Sequence, residues 1–263
     1  MDKPSFYWGI ASYDRADRQP MLAMLSEIGY RRDEIILATQ TPTDYEKYSE
    51  RYGEMATVIF RDGRNVSDNK NTVLSHICDH CGNTRVVMCS DKVRAVNALR
   101  ADGKLHPIKT REELDHLVKS AYYIAERTGA SIWGVAPVAN TFYMERSIST
   151  NLFLIGCFMG LTNPAEQMFD AEQPLKEDWE ITLRTIAQGG RTIRFNDVCL
   201  TSTLHTKGGC HADWNSEGDR KNAECTGRLL AMYPDLVKPH ARRRNELRYI
   251  GETLKLKYSI FDL

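Results

Sequence analysis

The stretch "VVMCSDKVRAV", residues 86 to 96, runs from three apolar side chains into Cys89, Ser90, Asp91 and Lys92. It reads as a buried strand ending in polar residues at its carboxyl end, the rim where parallel α/β sheets take their ligands. Three earlier apolar segments have the same form: "FYWGIA" (6 to 11), "EIILA" (34 to 38) and "TVIF" (57 to 60). With "RVVMC" (85 to 89) they are separated by stretches that suit helices. The alternation predicts a βαβα order, and hence an α/β fold with a mostly parallel sheet covered by helices on both faces.

Downstream, residues 111 to 127 predict an amphipathic helix, with Leu114, Leu117, Val118, Ala121, Ile124 and Ala125 on one face. Thr110 and Glu113 form a capping box before it, and Gly129 follows its end. Further strands are expected at 131 to 136, 151 to 159, 192 to 195 and 199 to 204, with helices near 178 to 188 and 219 to 232. No repeat, low-complexity block or linker interrupts the order, so the chain reads as one domain over 1 to 263. Residues 1 to 100 would be a nucleotide-binding half, and 101 to 263 an acceptor-binding half with a basic tail.

The 263 residues carry 35 basic and 35 acidic side chains, so no global field draws the chain to nucleic acid or membrane. The longest apolar run, "LFLIGCFMGL" (152 to 161), is about half of the roughly 20 residues needed to span a bilayer. Without a signal-peptide pattern at the N-terminus, and with seven cysteines fitting reduced thiols, the expectation is a cytoplasmic protein with no membrane partner.

Three polar clusters follow strands: Ser12 to Arg15, Arg61 to Asn71, and Ser90 to Lys92. The second lacks both the Walker and the dinucleotide spacing, and suits either a solvated loop or a phosphate or base contact. In "SHICDHC" (75 to 81), His76 and His80 would share a helix face while Cys78 points elsewhere, and no second ligand pair is evident. An ordinary helix end is therefore favoured over zinc. Glu177 and Asp178 fall in the first turn of a helix, which favours negative charge with or without chemistry. The loop "HTKGGCH" (205 to 211) allows close backbone approach at Gly208 and Gly209.

The ordered set "IASYDRAD", "GRNVSDNKNTVLSHI", "RVVMCSDKVRAV", "LKEDWEITLRTIAQGG" and "HTKGGCHADWNSEGDRKNAECTGRLLAMYPDLVK" resembles a family. It is similar to the TET/JBP-associated glycosyltransferases, GT-A-fold nucleotide-sugar transferases encoded largely by bacteriophages. The resemblance implies a GT-A-like single domain and a UDP-sugar donor, glucose or arabinose being candidates. It implies as acceptor DNA containing a hydroxymethylated pyrimidine, most plausibly 5-hydroxymethylcytosine. Family members carry two or three acids after the fourth strand, where this chain has Ser90, Asp91 and Lys92. Either Asp91 holds Mg2+ or Mn2+ with waters, diphosphate oxygens and His205, or Lys92 supplies the positive charge instead. Ser12, Arg15, Arg64, Asn65 and Lys70 would line the nucleotide, and Lys207, Gly208 and Gly209 would close over the diphosphate. Asp178, with Glu177 as alternate, would be the general base. Arg242, Arg243, Arg244 and Arg248 would track DNA phosphates, or form a solvated face. A GT-A enzyme with a non-DNA acceptor and a catalytically inactive nucleotide-binding relative are the alternatives.

Overall fold

A computed structural model describes residues 3–82, 84–202, 216–257 and 259–262. The first half alternates as β1 (Tyr7–Ala11), α1 (Pro20–Glu27), β2 (Ile35–Thr39), α2 (Pro42–Tyr52), β3 (Thr57–Phe60), α3 (Val66–Cys81) and β4 (Val86–Ser90). There follow β5 (Val93–Leu99), β6 (Leu105–Pro107), α4 (Arg111–Thr128), β7 (Ala130–Ala136), β8 (Ile148–Thr150) and β9 (Phe158–Leu161). The chain continues through α5 (Glu177–Ala187), β10 (Arg191–Ser202), α6 (Ser216–Met232), β11 (Val237–Pro239), β12 (Leu247–Tyr249) and β13 (Leu254–Leu256).

The main sheet runs β13-β8-β10-β7-β9-β4-β1-β2-β3, with β5 attached to β10 and β6 to β5. Along that path the pairings point every strand the same way except β8 and β9. The result is the expected α/β fold, a mostly parallel mixed sheet flanked by helices. Alternate residues of the central strands enter different cores. Trp8, Ile10, Ile35, Leu37, Val87 and Cys89 pack under α1 and α4, while Tyr7, Ile36, Ala38, Val86 and Met88 pack under α3. Both faces are dry, which is why the strands read as unbroken apolar runs. A Cβ at Gly9 would lie 2.7 Å from Met88 Sδ and from Val73 Cγ1, so the glycine lets α3 settle directly on β1.

The α4 face is buried as its spacing predicts; Thr110 accepts a hydrogen bond from the Glu113 amide, and Gly129 ends the helix at φ 68°. Two expectations are corrected. Residues 151 to 157 are not strand: Asn151 turns the chain at φ 51°, and β9 begins only at Phe158. The intervening loop buries Leu154 against Gly134, and its Cys157 carbonyl accepts from the Ser90 amide at 2.9 Å. The separate strands at 192 to 195 and 199 to 204 are one strand, β10, across which Asn196 bonds Ser147 and Ser149 at 3.0 and 2.8 Å. Residues 203 and 204 lie outside the described residues.

His76 and His80 stack at 4.5 Å on α3. Among the described residues no group of three or more His, Cys, Asp or Glu side chains suits a metal ion, and no described helix is long and apolar enough to cross a membrane.

Candidate active site

A cleft of about 480 Å³ opens at the carboxyl ends of β1, β2 and β4. It is lined by Ser12, Arg15, Arg64, Asn65, Lys70, Asp91, Lys92, Glu177 and Asp178, so residues far apart in the sequence meet there. Gly156, Cys157 and Lys221, which the sequence did not single out, line it too.

One wall is built on Asp91, only 5% exposed in the turn after β4. Arg15 Nη1 donates to its Oδ1 at 3.1 Å, and Ser12 Oγ donates to its Oδ2 at 2.7 Å. A hydroxyl has one proton to give and two lone pairs to fill. Ser12 gives its proton to Asp91 and accepts from Gln19 Nε2 and from the Tyr48 hydroxyl, both at 2.8 Å. The Tyr48 oxygen in turn accepts the Arg15 amide at 2.9 Å. Every donor in this chain points toward the carboxylate. Asp14, at φ 50°, sets the turn that brings Arg15 round, and its amide donates to Asp44. The first turn of α3 closes the wall from above, where Asn69 Nδ2 donates to the Ser12 carbonyl at 3.0 Å.

Facing it is the start of α5. Lys176 precedes the helix at φ 59°, a left-handed conformation uncommon outside glycine. Its Nζ pairs with Glu246 Oε2 at 3.2 Å, tying the helix to the turn between β11 and β12. Glu177 Oε1 lies 2.7 Å from Lys70 Nζ, and that ammonium also sits 4.7 Å from the Phe169 ring centroid. Burial opposes the Lys70 charge, but the Glu177 carboxylate outweighs it and the pKa rises. Asp178, half-buried, accepts from the Gly156 amide at 3.1 Å and from the Trp179 amide at 2.8 Å. Desolvation, and then the neighbouring Glu177 charge, push its carboxyl up to about 6 against the pull of Lys70. Of the two adjacent acids, Glu177 is therefore committed to Lys70, and Asp178 is the one poised near neutrality.

The remaining predicted residues take varied places. Asn65 caps α3 by accepting from the Asp68 amide and donates to the Ala171 carbonyl, so its side chain shapes the wall. Exposed Arg64 pairs with Asp68 and Glu172 at 3.3 and 3.2 Å. His205, Lys207, Gly208 and Gly209 lie outside the described residues. Arg242, Arg243, Arg244 and Arg248 are exposed and away from the cleft lining, on the turn and strand that follow β11. That turn also carries Glu246, which joins it to the root of α5.

Gly156 was legible as a glycine inside an apolar run, a pattern that marks close backbone approach. A Cβ there would lie 2.9 Å from Asp178 Cβ and 3.1 Å from Lys70 Nζ. Asp91 does not fit a metal ligand among the described residues: it is a lone carboxylate with each oxygen already engaged, one of them by a guanidinium.

The fold has counterparts among solved structures. A mannosyltransferase from Pyrobaculum calidifontis, in complex with GDP-Man and Mn2+, superposes with a TM-score of 0.55 at 15% identity, over 88% of this chain and 64% of its own. TarS 1–349 of S. aureus, in complex with UDP, gives 0.52 at 13% identity, over 87% and 64%. The chain thus spans 64% of the length of each. At these identities the likeness is one of fold: both proteins share the mostly parallel α/β sheet flanked by helices. No protein-family model and no curated protein matches the sequence.

Proposed function

We propose that this chain is a glycosyltransferase that moves a sugar, glucose or arabinose, from a UDP-sugar to the hydroxymethyl oxygen of 5-hydroxymethylcytosine in DNA. One observation carries the enzymatic part: Asp178, with its carboxyl raised to about 6, shares one cleft at the strand ends with the Asp91, Arg15 and Ser12 cluster. A base with a pKa just below the working pH combines ionisation with proton affinity. In the transfer, the acceptor oxygen attacks the anomeric carbon and the bond from that carbon to the diphosphate oxygen breaks. The bonding electron pair leaves on UDP, and the acceptor proton passes to Asp178.

Ser12, Arg15, Arg64, Asn65 and Lys70 are assigned to the donor side. The DNA acceptor, and with it a phage-encoded enzyme working in the host cytoplasm, is supported by the resemblance of the ordered motifs. It is supported also by Arg242, Arg243 and Arg244, three consecutive exposed cations on a turn tied to α5 through Glu246. A 5-hydroxymethyl group projects into the major groove, so the base need not leave the stack. A second reading, transfer to a small molecule, protein or existing sugar, is favoured by the balanced charge of 35 basic and 35 acidic residues.

Mass spectrometry of hydroxymethylated DNA incubated with a panel of UDP-sugars tests the proposal. A gain of one hexose or pentose per modified base is expected, and should vanish in Asp178→Ala. Sugar transfer that proceeds only to non-DNA acceptors selects the second reading. Donor turnover that is absent throughout, or unchanged in Asp178→Ala, removes the catalytic assignment.

A further inference from the structure

The acidic element after β4 has the position of a metal site but not its chemistry. Hard divalent ions are gathered by several oxygen ligands, whereas among the described residues Asp91 is a lone carboxylate whose two oxygens already accept from Arg15 and Ser12. An ion bound to Asp91 would sit beside the Arg15 guanidinium, 3.1 Å from the same carboxylate, and the two positive charges would repel. The ordered donors running from the Arg15 amide through Tyr48 and Ser12 are arranged to hold Asp91 where it is. Two more cations, Lys92 on the Asp91 turn and Lys221 on α6, line the same cleft.

We propose that the donor diphosphate is held here without a divalent ion, Asp91 serving to fix the Arg15 guanidinium as a hydrogen-bond donor while Lys92 and Lys221 supply the net charge that balances the phosphates. Asp91 is then a positioning residue. Ammonium groups in the cleft and a guanidinium held by Asp91 would do for the departing diphosphate what an ion does elsewhere. The proposal rests on the assignment of the cleft to a sugar nucleotide, and one titration separates the two.

UDP is titrated into the full chain by calorimetry, in EDTA and again with saturating Mn2+ or Mg2+. The expected dissociation constant changes by less than about threefold between these conditions, and rises at least tenfold in Lys92→Ala/Lys221→Ala. The Lys92→Arg/Lys221→Arg variant should recover most of the affinity, which a folding defect would not. Asp91→Asn should weaken UDP by the same factor with and without metal. UDP that binds only with metal, or more than tenfold tighter with it, overturns the proposal and leaves the sugar-nucleotide assignment standing. Metal-independent binding indifferent to both lysines overturns the charge assignment. UDP that binds under no condition overturns the sugar-nucleotide assignment itself.

Discussion

The ammonium of Lys70 lies 2.7 Å from Glu177 and so neutralises the acid immediately before Asp178 in the chain. Two carboxylates on neighbouring residues are thereby given different duties by one cation. Asp178, which has no direct cation partner among the described residues, is the acid whose pKa is pushed toward neutrality.

The pH profile of sugar transfer should show this division. Asp178 must be deprotonated to accept a proton, so kcat/KM, which follows the free enzyme, should fall as pH drops through about 6. Glu177→Gln removes a negative charge that raises the Asp178 pKa and leaves Lys70 in place, so the acid limb should move to lower pH. A limb that stays put or moves upward contradicts this division of roles.

Asp178→Asn should cost about 10²- to 10⁴-fold in kcat, the usual contribution of a general base. It should also change how stability depends on pH. Because the folded-state pKa of Asp178 is raised, the folded chain binds more protons than the unfolded chain between the ordinary value of 3.8 and about 6, and this group's stabilising contribution is lost as pH rises through that window. The neutral amide lacks this penalty. About one pH unit of that window lies above pH 5, so from pH 5 to pH 8 the stability of Asp178→Asn relative to the parent should rise by about 1.4 kcal/mol, with a matching gain in relative Tm. Parallel thermal melts at the two pH values measure it.

Gly156→Ala inserts a methyl group 2.9 Å from Asp178 Cβ and 3.1 Å from Lys70 Nζ. Something in that corner has to move, at a cost of about 1 to 3 kcal/mol for overpacking. Urea melts should show the destabilisation, and the acid limb of kcat/KM should shift as Lys70 and Asp178 are displaced. A variant with parent stability and an unchanged pH profile would show that the corner is loosely held.

Replacing Arg242, Arg243 and Arg244 together by alanine should weaken binding of hydroxymethylated DNA. It should also flatten the dependence of log affinity on log salt by about 0.9 for each phosphate that these arginines neutralise in the parent. UDP affinity should not change, since none of the three lines the cleft. An unaltered salt slope would assign these arginines to a solvated face.

The first four strands and α4 were legible because both sheet faces are buried, so that Trp8 and Tyr7, on opposite faces, are equally apolar signals. Loop 151 to 157 was not, since Leu154 and Ile155 look like strand residues and nothing but Asn151 and Gly156 marks the break. The unity of β10 was hidden by Asn196 and Asp197, polar residues that stay buried, Asn196 donating to Ser147 and Ser149, and Asp197 Oδ2 accepting from Ser259 and the Ile260 amide. At the site, Ser12, Arg15 and Asp91, read from strand ends, and Asp178, taken up through the family resemblance, all line one cleft. That Lys70 would serve Glu177, and Asp91 would serve Arg15, depends on residues 107 and 76 positions apart, a separation no local pattern encodes.

Lys176 holds a backbone conformation that glycine would adopt without strain, and its side chain grips Glu246. A lysine at this junction turns what would be a swivel into a rivet. The ion pair ties the turn that carries Arg242, Arg243 and Arg244 to the root of the helix that carries Asp178, so under the proposed function the surface meeting the polyanion and the group taking the proton would move as one part.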